Sequence, residues 1–382
     1  MESRLQLRPV VFVMTGACAT PGGIATENRH LLRVLARLSE ERRLGVTVLS
    51  FLEGNEDRAP FLPEAVGFRG FAGSKLRLAL ALWRHMLKRP VFIFDHVTLA
   101  KPLLPLVVMR IIRAVILAHG SESWKRLRPS SRWLFSKAAL VLTNSDFTLK
   151  KMRERIPRFN GVACPLGLAP EFELNVTAPQ TRLESLSFEN ANGEQRELGR
   201  RVCLLVARMH PSEREKGHYE LLEVWPAIVQ EFSDAQLVFA GPGEDRENIA
   251  RAARKRGAGD SVFVPGEVPR EKLLDLYANC YAFTMPSRQE GFGLVYLEAM
   301  NFAKPCLGCR DDGAEDVIVH QETGLLVRDP KDAPELSAAL RRLLSQPEEA
   351  REMGRRGFER LHKHFTAAHV QERLREQLTK VL

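Results

Sequence analysis

Residues 286–305 read Pro-Ser-Arg-Gln-Glu-Gly-Phe-Gly-Leu-Val-Tyr-Leu-Glu-Ala-Met-Asn-Phe-Ala-Lys-Pro. An apolar run, Tyr281 to Met285, precedes them and predicts a buried strand that ends at Pro286. Gly291 and Gly293 let the backbone turn sharply and approach a ligand with no Cβ in the way. From Leu294 the apolar residues recur at helical spacing, Leu294, Leu297 and Met300, until Lys304-Pro305 stops the helix. The stretch is therefore strand, glycine-rich turn and helix N-terminus, whose free N–H groups and dipole suit an anion. Glu290 in the turn and Glu298 in the helix bracket it. Acids beside an anion site are better suited to accepting hydrogen bonds from sugar hydroxyls than to meeting phosphate. The pattern points to a sugar joined to a diphosphate.

The segment Pro-Ser-x-x-Glu-Gly-Phe-Gly-x-x-x-x-Glu-Ala-Met, followed by Lys-Pro, resembles the Glu-x7-Glu motif of retaining glycosyltransferase family 4. That family has the GT-B architecture. The resemblance covers nearly all of the chain, strongly from about 202 to 328 and moderately before 170. It implies an α/β fold of two Rossmann-like α/β/α domains with parallel sheets facing a cleft, and a C-terminal helix that returns to the N-terminal domain. The expected boundaries are 1–172 with about 365–382 for the acceptor-binding domain, 173–200 for a linker, and 201–364 for the nucleotide-sugar domain.

Residue by residue, the same resemblance assigns roles. Glu290 becomes a hydrogen-bond acceptor to the donor sugar and Glu298 an acceptor to the ribose. The backbone of Phe292, Gly293 and Leu294 lies at the diphosphate. Arg208, after the strand Val202–Val206, and Lys216, at the mouth of a helix from Tyr219 to Glu231, stand where the family has cations paired with that diphosphate. The loop between them is longer and more charged than the common version. Glu267 and Val268 precede a helix from Arg270 and correspond to a segment that holds the nucleobase. In the first half, Pro21-Gly22-Gly23-Ile24 opens a helix with Leu31, Leu32, Leu35 and Leu38 on its apolar face. Its spacing differs from the dinucleotide fingerprint, and in the family Gly22 and Gly23 would lie beside the donor diphosphate. His119-Gly-Ser-Glu122 follows the strand Val115–Ala118, at a strand C-terminus where ligands gather in open parallel sheets. It resembles a His-Gly-x-Glu segment whose His contacts the donor sugar. Pro165-Leu166-Gly167-Leu168 departs from the family's Pro-Asn-Gly-Val by a leucine in place of a polar residue.

Length and composition agree with this outline. A chain of 382 residues suits two domains rather than one. The first apolar run, Val10 to Met14, is too short for a secretory signal, and the longest, Pro102 to Ala118, is broken by Arg110 and Arg113. Six scattered cysteines in mostly apolar runs indicate free thiols and a cytoplasmic setting. Cys306-x-x-Cys309 has no second Cys or His pair to complete a zinc site. Charge is uneven: residues 1–175 hold 27 Lys and Arg against 14 Asp and Glu, whereas 176–382 hold 29 against 33. The basic residues of the first half lie in helices that also carry Trp83, Trp124 and Trp133, among them the basic, apolar helix from Ser74 to Lys88. This composition suits an anionic surface such as the inner face of a membrane. Other strands are expected at Val46–Phe51, Val91–Phe94, Ala139–Thr143, Leu237–Ala240, Val262–Val264 and Cys306–Cys309, with a helix at Leu103–Ile112.

The expectation is a retaining hexosyltransferase that moves a sugar from a UDP- or GDP-sugar to a glycan or lipid-linked acceptor. No cofactor is expected, and the missing Asp-x-Asp motif argues against a metal. No nucleic-acid partner is expected. Rivals are a sugar-nucleotide epimerase or a phosphorylase of similar fold, the latter needing a cofactor lysine that nothing picks out. A basic membrane- or nucleic-acid-binding protein with an inactive site is the rival from another class.

Overall fold

A computed structural model describes residues 8–18, 22–125, 127–169, 172 and 185–382. Thr20, Pro21, Arg126 and the first part of the expected linker, 173–184, lie outside them. The chain divides into two units, Met1–Ala169 with Ala367–Leu382, and Pro170–Thr366.

The first unit begins with β1 (Val10–Met14), α1 (Gly23–Arg42), β2 (Val46–Ser50), β3 (Gly67–Gly70) and α2 (Lys75–Met86). It continues with β4 (Val91–Phe94), a 3-10 turn at Val97–Leu103, α3 (Leu104–Val108), β5 (Arg113–Ala118) and α4 (Pro129–Lys137). β6 (Leu140–Thr143), α5 (Asp146–Arg155) and β7 (Gly161–Ala163) complete the run. Its seven strands pair in the order β3-β2-β1-β4-β5-β6-β7, parallel throughout. Strands buried on both faces read as unbroken apolar runs, which is why β1, β2, β4, β5 and β6 are legible in sequence. Alternate residues serve opposite faces. Val10, Phe12 and Met14 pack with Leu31, Leu35 and Leu38 of α1, while Val11 and Val13 pack with Leu78 and Leu82 of α2, Val107 of α3 and Leu134 and Phe135 of α4.

The second unit contains β8 (Ser187–Glu189), β9 (Gln195–Glu197), β10 (Arg201–Val206), α6 (His218–Glu231), β11 (Ala235–Ala240) and α7 (Arg246–Lys255). Then come β12 (Val262–Gly266), α8 (Arg270–Asn279), β13 (Ala282–Thr284), α9 (Leu294–Asn301), β14 (Cys306–Cys309) and α10 (Ala314–Val317). β15 (Gly324–Val327), α11 (Ala333–Ser345) and α12 (Pro347–His364) close it. Six strands run in the order β12-β11-β10-β13-β14-β15, again parallel. Trp225, Tyr277, Tyr296 and Phe283 are among its fully buried side chains.

Three sequence expectations are corrected. Residues 187–197, read as linker, form the antiparallel β8–β9 hairpin. Asn190 bridges to Phe263 of β12, and Arg254 of α7 donates to the Ala191 carbonyl at 2.5 Å. The hairpin therefore belongs to the second unit, and its turn carries an Asn192-Gly193 signal with Gly193 at φ 88°. The expected helix at Leu103–Ile112 shortens to α3, because Pro102 sits in a 3-10 turn before it and Ile112 leads directly into β5. The edge strands β3 and β7 were not anticipated; both are only partly buried, so neither needs a continuous apolar run.

The last helix, α13 (Ala367–Thr379), contributes to the first unit, as expected. Val370, Leu374 and Leu378, at helical spacing, join the core formed by α1 and β1. Arg373 donates to the Pro165 carbonyl at 2.8 Å. Leu374→Ala should cost about 2–5 kcal/mol, the usual range for emptying a buried leucine site. Urea denaturation reads this, and an unmoved midpoint would remove α13 from that core.

Candidate active site

In the second unit the strand order reverses between β10 and β13, which pair directly through Cys203 with Ala282 and Leu204 with Phe283. Chains leaving two such strands in opposite directions open a crevice at their C-terminal ends. From β10 comes the loop with Arg208 and Lys216, and from β13 the stretch Pro286–Gly293. The two are stitched together: Arg288 N–H donates to the Glu215 carbonyl at 2.7 Å. Gly217 has φ 94°, and a Cβ there would lie 2.8 Å from Pro286, so only glycine lets α6 begin at this point.

This stitching brings Lys216 and Glu290 together. Lys216 Nζ lies 2.5 Å from Glu290 Oε1, and Ser287 Oγ donates to the same oxygen at 2.9 Å. Burial would push the Glu290 carboxyl up, but the Lys216 charge and the hydrogen bonds from Lys216 and Ser287 hold it below its usual range. Burial would likewise push Lys216 down, and Glu290 more than offsets this, leaving the ammonium above its ordinary value. Both groups are charged. An ammonium carries three donors and Glu290 engages one of them.

A third group was not singled out from sequence. Asp312, fully buried before α10, accepts the Glu290 N–H with both carboxylate oxygens, at 3.1 and 3.0 Å. The turn it holds carries Gln289 at φ 77°. Burial and the nearby Glu290 charge raise the Asp312 carboxyl to about 8, against the opposing pull of those N–H groups. The sequence showed only a polar turn at Arg310–Asp316; nothing local told Asp312 from Asp311.

The remaining expected residues spread along the same edge. Arg208 is exposed and pairs with Glu213 at 2.8 Å, yet its charge also favours ionised Glu290. Gly293, at φ 93°, caps α9, whose N-terminus has no side-chain cap, and Leu294 is its first residue. The Phe292 ring turns into the unit and meets Phe365 edge-on at 5.9 Å, leaving its backbone at the turn. Glu298 accepts the hydroxyl of buried Tyr277 at 2.7 Å through Oε2. Glu267 and Val268 follow β12, three strand spacings from β13, or about 14 Å along the edge. Glu267 is exposed and Val268 half-buried. A cavity of about 440 Å³ opens elsewhere, between the hairpin and α7. Both arginines lining it, Arg246 and Arg254, donate to carbonyls, those of Val264 and Ala191.

In the first unit the order reverses at β1 and β4, and a polar network occupies the strand ends. Asp95 after β4 accepts Thr15 N–H at 2.7 Å and Asn28 Nδ2 at 2.8 Å. Glu53 after β2 accepts Ala17 and Cys18 N–H at 2.8 and 2.6 Å. Gly22 caps α1 at φ 114°, and Gly23 begins it. His119, after β5, donates from Nδ1 to Glu27 at 2.8 Å and from Nε2 to the Asp95 carbonyl. With an acceptor at each ring nitrogen, both must carry hydrogen, so the ring is an imidazolium. Burial would push it down, but Glu27 above all raises it to about 10. Both ring nitrogens are committed within the unit, and a direct sugar contact would require the ring to release one.

Comparison with known proteins bears on these geometries. Residues 188–360, nearly all of the second unit, match the family described as glycosyl transferases group 1. The match lies wholly within the second unit. Over 254 residues the chain is 32% identical to a GDP-mannose-dependent alpha-(1-6)-phosphatidylinositol monomannoside mannosyltransferase of Mycobacterium tuberculosis, covering 65% of this chain and 64% of that one. The chain spans just under two thirds of the length of the curated relatives it matches. Sucrose-phosphate synthase from Thermosynechococcus elongatus superposes with a TM-score of 0.76 at 20% identity, over 98% of this chain and 99% of that one. The Anabaena protein HepE in complex with UDP gives 0.74 at 15%, over 97% and 100%. These likenesses establish the fold as GT-B.

Within this unit, Lys216, Glu290, Ser287 and Asp312 are brought together at one crevice, while Glu298, Glu267 and Val268 share only its edge. Asp312 sets a stability test. Its folded-state carboxyl titrates near 8 rather than at an ordinary acid value, so from about pH 4 to 8 the folded protein holds a proton that the unfolded chain releases. Stability therefore falls as pH rises through that window. Asp312→Asn keeps a neutral acceptor for Glu290 N–H and should raise Tm at pH 8 relative to the wild type, the gap closing toward pH 4. Parallel Tm curves would refute this.

His119 sets a second test with its own sign. Its raised value means that its contribution is fully present below about pH 6.5 and is lost as pH rises through about 10. In Glu27→Gln the ring keeps its burial but loses the carboxylate. Its NMR signals should then titrate below pH 8, where those of the wild type stay flat; unchanged titration would show that Glu27 does not set the charge.

Proposed function

We propose that the protein is a retaining hexosyltransferase, moving a sugar from a UDP- or GDP-sugar to a glycan or lipid-linked acceptor. The observation that carries this reading is the Lys216–Glu290 pair at the strand-order reversal of the second unit, beside the uncapped N-terminus of α9. Lys216, Arg208 and that N-terminus supply fixed positive charge where a nucleoside diphosphate departs, which is the charge that grows in the transition state. No metal is needed for that role. Lys216 and Ser287 both occupy Glu290 Oε1, and the other oxygen, Oε2, serves a hydroxyl of the donor sugar. Glu290 is in this reading an acceptor rather than a nucleophile. Glu298, steadied by Tyr277, accepts from the ribose, and the backbone after Gly266 meets the base. The named activity of the mycobacterial relative supports a glycolipid acceptor. We place the protein in the cytoplasm, at the inner face of the membrane that carries this lipid.

The test is release of UDP or GDP from a panel of nucleotide sugars, with and without acceptor and with and without EDTA. One donor should stand out, EDTA should leave its rate unchanged, and NMR of the product should show the anomeric configuration retained. Lys216→Ala should lose about 1.5–3 kcal/mol of transition-state stabilisation, roughly 10- to 150-fold in turnover. Glu298→Ala should weaken donor affinity instead. Wild-type kinetics in a folded Lys216→Ala protein would overturn the assignment.

A further inference from the structure

Glu290 is held by its backbone as well as by its side chain. β13 and β14 pair through Phe283 with Cys306 and Thr284 with Leu307, so the turns that leave their C-terminal ends lie side by side. Two consecutive residues of the second turn take both peptide groups of Glu290. Asp312 accepts its N–H at 3.1 and 3.0 Å, and Gly313 N–H donates to its carbonyl at 3.2 Å. A Cβ on Gly313 would lie 2.5 Å from the Gly291 carbonyl carbon, so the two turns meet backbone on backbone. The turn so held includes Gln289 at φ 77°, a left-handed conformation that a residue with a Cβ keeps only when its surroundings impose it. Lys216 and Ser287 occupy Oε1. Backbone N–H, carbonyl and Oε1 of Glu290 are thus all engaged, and Oε2 is left for a ligand.

An amide or a hydroxyl could also accept an N–H; a carboxyl brings a charge that depends on pH. Burial and the Glu290 charge keep the proton on Asp312 up to about pH 8. The other titratable groups facing it keep their charge state around that pH. Glu290 is held below its usual range and Lys216 above its own. Burial pushes the Cys309 thiol of β14 up to about 12 and the Tyr296 phenol of α9 well above its ordinary value. Loss of the Asp312 proton would put a second negative charge beneath the crevice. Both the arriving diphosphate and the charge that grows on it as it departs are negative, so that charge opposes binding and reaction alike.

From this geometry we infer that Asp312 is a positioning residue for sugar transfer: it sets Glu290 through the Glu290 N–H, and it does so as an uncharged acid. The inference rests on the reading of Glu290 as the acceptor of a donor-sugar hydroxyl. Activity is then lost on the alkaline side, as pH rises through about 8.

The first measurement needs no donor. In protein with isotope-labelled aspartate carboxyls, the NMR signal that is missing from Asp312→Asn should titrate near pH 8. Titration in the ordinary acid range, at about pH 4, would overturn the inference. The second measurement is the pH profile of turnover with the donor that the nucleotide-sugar panel picks out. Wild-type turnover should fall about tenfold per pH unit above about pH 8. Asp312→Ala leaves the N–H without its acceptor and should lower kcat about 10- to 100-fold with KM for the donor little changed. Asp312→Asn should recover most of that loss and should lack the alkaline fall. An alkaline fall that survives in Asp312→Asn, or Asn as slow as Ala at every pH, would overturn the inference. If Asp312→Ala does not fold, the carboxyl titration and the Asn profile decide. A donor turned over with a flat wild-type profile would leave transfer standing and remove this role of Asp312. Turnover of no donor at all would remove the transfer reading and this role with it.

Discussion

The ion pair between Lys216 and Glu290 exists because two strands that are neighbours in space, β10 and β13, send their chains out in opposite directions. Residues 74 positions apart then meet over one crevice. Neither charge would be stable there alone, since burial pushes each toward its neutral form. Together they stay ionised. The cost of holding them is met by the surrounding loops: Gly217 against Pro286, the Arg288 N–H on the Glu215 carbonyl, and the Asp312 carboxyl group under the Glu290 turn.

The first unit solves a related problem with different groups. Its strand ends also converge at an order reversal, and the carboxylates there hold a loop rather than an ammonium. Asp95 and Glu53 take up N–H groups of the loop after β1, so that loop is held by side chains instead of presenting all its donors outward. His119 completes the arrangement as a cation held by Glu27 and the Asp95 carbonyl. The two units share a topology, while the polar residues at their strand ends differ.

A helix apolar on both faces would ordinarily be a core helix. In α2 one of those faces is open and ringed by cations. The basic surplus of the first half of the chain is therefore not spread evenly: it gathers in the elements over one sheet face, where apolar side chains are also exposed.

By itself the sequence determined the fold class, the place of the strand–turn–helix at 286–305 and the return of the last helix. The physical reason is that parallel strands buried on both faces must be apolar throughout, while turns at helix N-termini call for glycine. Edge strands β3 and β7 escaped because a strand covered on one side has no such requirement, and the β8–β9 hairpin hid in polar composition despite its Asn192-Gly193 turn. Only the tertiary structure decided which charges meet. Lys216 with Glu290, Asp312 beneath them, Tyr277 on Glu298, and His119 turned toward Glu27 are all contacts between elements far apart in the chain. The identity of a buried ion's partner depends on strand order, which no local pattern of residues encodes.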